Sequence, residues 1–276
     1  MIINTTNSAV IEDLKPYRVS QNDIYTLDSK IPGYKAICYE ANESPICIVS
    51  DSYGILQHDD VVKHTLSDLD RLGVKYNVNK ITMNATKKRN TMATTVLLPD
   101  LKMDVDGSDI FGTIYIHNGT DGMTSFTREL GFYRSICQNG MRVPHEIIVS
   151  EKMRHRKNIQ MMNLEDELYS LADYLPKFGK ILEAAQQITL DELNLDNMVK
   201  MLNIAPRLFE SIMSGEYMNK YKEMVHEQAN LKTLWGFYQV MTNYLTHRVA
   251  SKSIRTEHSM NNRLYNYMLQ QTARRA

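Results

Sequence analysis

The hydrophobic positions of this chain follow a short period in its first half and a helical one in its second. Apolar runs rich in β-formers at 34–39 and 46–49 flank a turn at 42–45, which predicts a hairpin. Residues 1–33 are polar and mixed, with Pro16 and Pro32-Gly33 as punctuation, and predict an irregular lead-in with a short helix near 9–14. Asp59 and Asp60 suit a first helical turn. Val61, Val62, Leu66, Leu69 and Leu72 follow at helical spacing, and Gly73 closes the helix. From Val74 the period returns to two: Val74, Tyr76 and Val78, then Ile81 and Met83, predict a half-buried strand. Residues 92–98 predict the next strand, ended by Pro99. The stretch 110–141 predicts three short strands, over 111–117, 124–128 and 131–137. Asn118-Gly119, Asp121-Gly122 and Asn139-Gly140 supply the turns.

After Pro144 the texture becomes helical. Leu164, Leu168, Leu171 and Leu175 mark one helix, which Pro176 kinks or divides from another over 178–188. Thr189 begins the next, and Pro206 opens a short one through Met213. Tyr217, Tyr221, Met224, Val225, Leu231, Trp235, Tyr238, Met241 and Leu245 predict a single helix of about thirty residues. A last helix covers 260–271. The fold class is therefore α+β, with an N-terminal antiparallel β-rich domain over 1–150. A helical C-terminal half with one long helix, over 151–276, packs on it.

Composition alters this picture little. The formal charge of the 276 residues is zero, so the total predicts no polyanionic partner. The distribution is less even: residues 1–150 carry about three more acids than bases, and 151–276 the reverse. Cys38, Cys47 and Cys137 are odd in number and lack a C-x-x-C spacing, which suits a reduced cytosolic compartment. The N-terminus lacks a basic segment followed by an apolar run, and no window approaches bilayer length. A soluble cytoplasmic protein without a membrane partner is expected.

Candidate chemistry is sparse. Asp104-x-Asp106-Gly107-Ser108-Asp109 has a faint likeness to a calcium loop. Tyr115 stands where a bidentate Glu belongs and the Gly comes too early, so a hairpin turn is the plainer reading. The histidines form no zinc spacing, and no phosphate-cradling glycine loop is present, so neither metal nor cofactor is expected. Cys137 with His117 or His145 could make a nucleophile, but a cysteine ending an apolar strand is more often a small buried hydrophobe. Three basic clusters remain: Lys87, Lys88 and Arg89 on a hairpin loop; Lys152, Arg154, Arg156 and Lys157 at the domain junction; and Arg248, Lys252 and Arg255 at spacings of four and three. With Tyr244, Tyr265 and Tyr267 nearby, they suit a single-strand binder whose cations track the backbone while rings stack on bases. The competing reading is a solvated face whose charges pair with acids elsewhere.

Three blocks resemble one known family. They are Val49-Ser50-Asp51-Ser52-Tyr53-Gly54-Ile55; the central block with Asp121-Gly122 and Arg134-Ser135-Ile136-Cys137-Gln138-Asn139; and Thr233-Leu234-Trp235-Gly236-Phe237-Tyr238 through Leu245-Thr246-His247. Together they are similar to the domain-of-unknown-function 932 family, often called phage/plasmid-like proteins. Thr120 replaces the family's usual His before Asp-Gly, and its Asn-Ala-Val-Thr-Glu run reads Gln239-Val240-Met241-Thr242-Asn243. The resemblance implies a mobile-element origin and a bacterial cytoplasm, and it implies no activity.

The leading expectation is a non-enzymatic protein of a phage or plasmid that binds or anneals single-stranded DNA in replication or recombination. Lys87, Lys88, Arg89, Lys152, Arg154, Arg156, Lys157, Arg248, Lys252 and Arg255 would meet phosphates, and Arg134 would reach the backbone or orient its turn. Self-association as a homo-oligomer would suit the helices. The alternatives are an interaction or assembly protein, such as a counter-defence factor or particle component docking through the long helix, and a hydrolase using Cys137, His117 or Asp121.

Overall fold

A computed structural model describes residues 7–86, 89–105, 107–134, 139–142, 151–214, 219, 231–249 and 254–274. The described strands are β1 (Val19–Thr26), β2 (Ser29–Tyr39), β3 (Pro45–Ser50), β4 (Asn77–Thr86), β5 (Arg89–Val105), β6 (Ser108–Gly119), β7 (Phe126–Arg134), β8 (Asn139–Arg142) and β9 (Glu151–Met153). The α-helices are α1 (Asn7–Leu14), α2 (His58–Arg71), α3 (Glu165–Gln186), α4 (Leu195–Leu202), α5 (Pro206–Met213), α6 (Leu234–Tyr244) and α7 (Ile254–Ala273). Sheets occupy the N-terminal half and helices the C-terminal half, so the class is α+β.

The strands form a three-stranded antiparallel sheet, β1-β2-β3, and a six-stranded sheet in the order β4-β5-β6-β7-β8, with β9 also paired to β7. By contact the chain divides into two compact units: residues 1–98, 114–129 and 149–168; and residues 99–113, 130–148 and 169–276.

In the first unit, Val19, Ile37, Ile46, Val49 and Tyr53 form an apolar cluster under the three-stranded sheet. Gln57, just before α2, holds the end of β1. Its amide donates to the Val19 carbonyl at 2.7 Å and accepts the Val19 N–H at 3.0 Å. Acids at Asp59 and Asp60 stand in the first turn of α2, and Gly73, at φ 67°, follows the helix where a left-handed residue is needed.

In the second unit an aromatic stack organises the helices. Phe132 lies face to face with Phe178 at 4.0 Å, Phe178 stacks on Tyr265 at 6.0 Å, and the Tyr174 and Tyr265 hydroxyls meet at 2.7 Å. Thr233 caps α6, its side-chain oxygen accepting the Gly236 N–H at 3.1 Å.

Several expected boundaries are corrected. The helix predicted from Tyr217 to Leu245 is not single. Thr233 pairs as a β-bridge with Thr189, so a new helix begins at Leu234, and residues 220–230 lie outside the described residues. The polar lead-in contains β1 and the first five residues of β2. The strands expected at 124–128 and 131–137 are one strand, β7, and Gly131 pairs with Arg142 within it. Pro99 does not end its strand, because the β4 ladder on that side already stops at Asn77↔Leu97 and asks Pro99 for no donor. Pro176 lies inside α3, exposed to water, where the carbonyl left without its usual N–H partner can be hydrated. Pro206 and Met213 bound α5 as expected.

Candidate nucleic-acid interface

The strip after β8 forms a strap that begins on β9. Lys152, Arg154, Arg156 and Lys157 are exposed, as is Arg89 at the start of β5. Among the described residues none of these five side chains makes an ion pair. Several cations elsewhere in this unit are paired with acids. Lys15 meets Glu12 at 2.5 Å, Arg18 meets Asp59 at 2.5 Å, and Asp23 takes both Lys30, at 2.9 Å, and Lys35. Those two lysines hold the Asp23 carboxyl below its ordinary range, Lys35 most strongly.

The strap's backbone is fixed although its cations meet no acid among the described residues. The Lys157 N–H donates to the Ser52 carbonyl at 3.0 Å. His155, between the cations, turns inward, stacks on Tyr53 at 5.1 Å, and places Nδ1 3.2 Å from the Gly54 carbonyl oxygen. Gly54 is a glycine for a reason of space: a Cβ there would sit 2.1 Å from the Arg156 carbonyl oxygen. The Tyr53 hydroxyl donates to the Gly119 carbonyl at 3.4 Å, and Asn90, next to Arg89, donates to the Thr120 hydroxyl at 2.8 Å. The strap and Asn90, the residue after Arg89, thus meet in one buried polar cluster. Within it, burial lowers the pKa of His58 to about 4 and also lowers that of His155, so both rings are neutral at pH 7.

A buried triad underlies the strap. Arg128 of β7 is 0% exposed. Its Nε and Nη2 donate to Glu167 Oε2 and Oε1 at 3.1 and 3.0 Å. Glu151 Oε2 forms a second ion pair with Nη2 at 3.1 Å. Burial raises the pKa of Glu167 to about 7, against the pull of Arg128, and raises that of Glu151 as well.

The other predicted residues fall differently. Lys87, Lys88, Cys137, His145 and Lys252 lie outside the described residues. Arg248 sits on a π-turn at Leu245–Val249, and Arg255 lies on α7; both belong to the second unit. Arg134 is withdrawn from the phosphate contacts. It is 2% exposed, donates from Nη1 to Gln239 Oε1, and lies over the Trp235 ring at 5.6 Å. Tyr265 and Tyr267 are buried in the aromatic core and offer no face to a base.

Asp121 is occupied by its own turn. Its Oδ1 accepts from the Met123 and Thr124 N–H groups at 3.1 and 2.8 Å, and its Oδ2 accepts from the Thr124 hydroxyl at 3.0 Å. This disfavours Asp121 as a hydrolytic base. Cys47, close by, has its thiol pushed up to about 11, chiefly by burial, and is no thiolate at neutral pH. The Asp104 carboxylate accepts the Gly107 N–H at 3.2 Å, as an ordinary hairpin turn does. Among the described residues no three His, Cys, Asp or Glu could hold a metal ion, and no helix is long and apolar enough to cross a membrane.

The sequence signals for Arg128, Glu151, Glu167 and His155 were slight. A lone Arg among buried alternate positions of a strand was one of them. The acid just before a basic strip was another.

No curated protein and no solved structure matches the chain. The model of the family described as a domain of unknown function (DUF932) matches residues 45–266, a span holding the strap, the triad and the Arg134 site, and the chain belongs to that family.

Proposed function

We propose that this protein binds single-stranded DNA through the strap at 152–157 together with Arg89. In this reading it is a phage- or plasmid-encoded cytoplasmic factor acting in replication or recombination without catalysing a reaction itself. One observation carries the reading: four exposed cations within six residues make no ion pair with a described residue, and their backbone is pinned. Free cations on a fixed backbone suit an irregular chain of phosphates, because they need not be released from acids first. Lys87 and Lys88 extend the same charge in sequence.

The test is a titration against labelled single- and double-stranded oligonucleotides at two ionic strengths. Five phosphate contacts, Arg89 and the four strap cations, predict a log–log salt slope of roughly −3.5 on a single strand. Reversing Lys152, Arg154, Arg156 and Lys157 to Glu is expected to abolish that slope and most of the affinity. An unchanged slope in that variant, or no binding at low salt, overturns the reading. A second reading, an interaction or assembly protein, draws on exposed apolar side chains of the three-stranded sheet, Tyr25, Tyr34 and Ile48, and on Leu27 in the turn between β1 and β2. Measuring mass in solution beside the titration separates the two: a salt-insensitive oligomer without affinity for single strands favours assembly.

A further inference from the structure

The loop that carries the strap runs from Glu151 to Met162, and both its ends return to one guanidinium. At its start, Glu151 Oε1 accepts the N–H of Met162, eleven residues on, at 2.6 Å. At its end, the Met162 carbonyl accepts from Arg128 Nη2 at 2.9 Å. The same Nη2 faces Glu151 Oε2 at 3.1 Å, an ion pair without hydrogen-bond alignment. Glu167 then fixes Arg128 side-on. The loop carrying the four cations is therefore closed at its base by charged groups that water does not reach.

The charges at this closure do not balance. Arg128, Glu151 and Glu167 have side chains between 0% and 1% exposed, and two carboxylates face one guanidinium. Arg128 Nη1 finds no hydrogen-bond partner, so the cation is not fully used. The α2 helix adds His64 and Asp68 to the surroundings, with Arg71 3.6 Å from Asp68. Two ionised acids here would leave an uncompensated negative charge in the interior, so one of them carries a proton until the solution removes it.

We propose that the Arg128–Glu151–Glu167 triad is a proton-sensitive buckle for the strap, with Arg128 and Glu151 acting as positioning residues that hold Lys152, Arg154, Arg156 and Lys157 in place. Its consequence for DNA rests on the reading of the strap as the binding surface. With one acid protonated the base stays closed. With both ionised, Glu151 and Glu167 repel each other across Nη2, and the Glu151–Met162 contact is the one free to open. The raised pKa values of the two acids agree with this direction.

The test is hydrogen exchange by mass spectrometry on the full-length protein, following peptides over 152–161 at pH 6 and pH 8, corrected for intrinsic rates. A carboxyl titrating near neutrality predicts that strap protection falls about tenfold between these conditions. Glu167→Gln, which keeps an acceptor and cannot ionise, is expected to hold protection level across the same range. Glu151→Ala should lose protection at both pH values while the peptides of α6 and α7 keep theirs. Gly54→Ala, which pushes on Arg156 from the middle of the strap, should lower protection and leave the pH profile unchanged. Strap exchange independent of pH in the wild type, or a Glu167→Gln profile parallel to it, overturns the buckle even if Glu151→Ala fails to fold. Affinity for a labelled single-stranded oligonucleotide, measured on the same samples, should follow protection. A pH-dependent strap in a protein with no affinity for the oligonucleotide sustains the buckle and removes the DNA reading.

Discussion

Two arginines six residues apart on β7 are both fully buried and are satisfied in opposite ways. Arg128 is set between two carboxylates, in a site with more negative than positive charge. Arg134 is held by neutral groups, the Gln239 carbonyl oxygen and the face of Trp235. A guanidinium matched by amides and rings keeps its charge and its neighbours at every physiological pH. One matched by surplus acid makes its surroundings depend on the solvent. The first arrangement suits an element meant to stay put, and the second an element whose setting can change.

The largest effect that would test this contrast is removal of Arg128. Arg128→Ala leaves the buried acid pair without a counter-charge and is expected to cost about 3–5 kcal/mol in denaturant unfolding. A loss below about 1 kcal/mol would mean that water reaches the site, and the contrast would fail.

The next effect is a matter of sign. Glu167 has a folded pKa near 7 against an ordinary 4.5, so the fold binds the proton more tightly than the unfolded chain does. Stability from this group is complete below the ordinary value and is lost as pH rises through the folded one. Glu167→Gln should therefore gain on the wild type by about 3 kcal/mol between pH 4.5 and 7, and stay level above that. His58, held neutral by burial, works in the opposite direction in the wild type over part of this range, which is why the difference between the two proteins is the quantity to follow.

The smallest effect belongs to the neutral site. Arg134→Ala strips a donor from the Gln239 carbonyl and a cation from the ring, and should cost about 1–3 kcal/mol, equally at pH 5 and pH 8. Trp235 is the single tryptophan of the chain, so its fluorescence reports this site directly. A marked pH dependence of that cost would erase the distinction between the two arginines.

What the sequence revealed depended on how local the cause was. α2 was legible because its acids, apolar stripe and closing glycine all lie within fifteen or so residues, and α5 was legible from Pro206 onward. The β1–β2 hairpin was hidden because much of it carries solvated polar side chains, so no apolar alternation announces it. β7 was cut in two because the charged pair Arg128-Glu129 and then Gly131 interrupt its apolar run. The false long helix arose because Tyr, Met and Leu at helical spacing cannot show that Thr233 is taken by Thr189. At the candidate site, the strap's cations could be read from their clustering. Their lack of an acid partner among the described residues, the inward turn of His155 and the convergence of residues 128, 151 and 167 are products of tertiary structure. The burial of Arg134 was hidden for the same reason, since burial is invisible in a residue's name.

The Gln57 side chain also bears on what the protein avoids. By giving Val19 both an acceptor and a donor, it stands where another polypeptide would otherwise add itself to the outer side of β1. A lateral border closed in this way resists recruitment of a neighbouring molecule into a continuous ribbon, the common route to insoluble aggregates. A single amide thus helps keep the three-stranded sheet from growing between molecules.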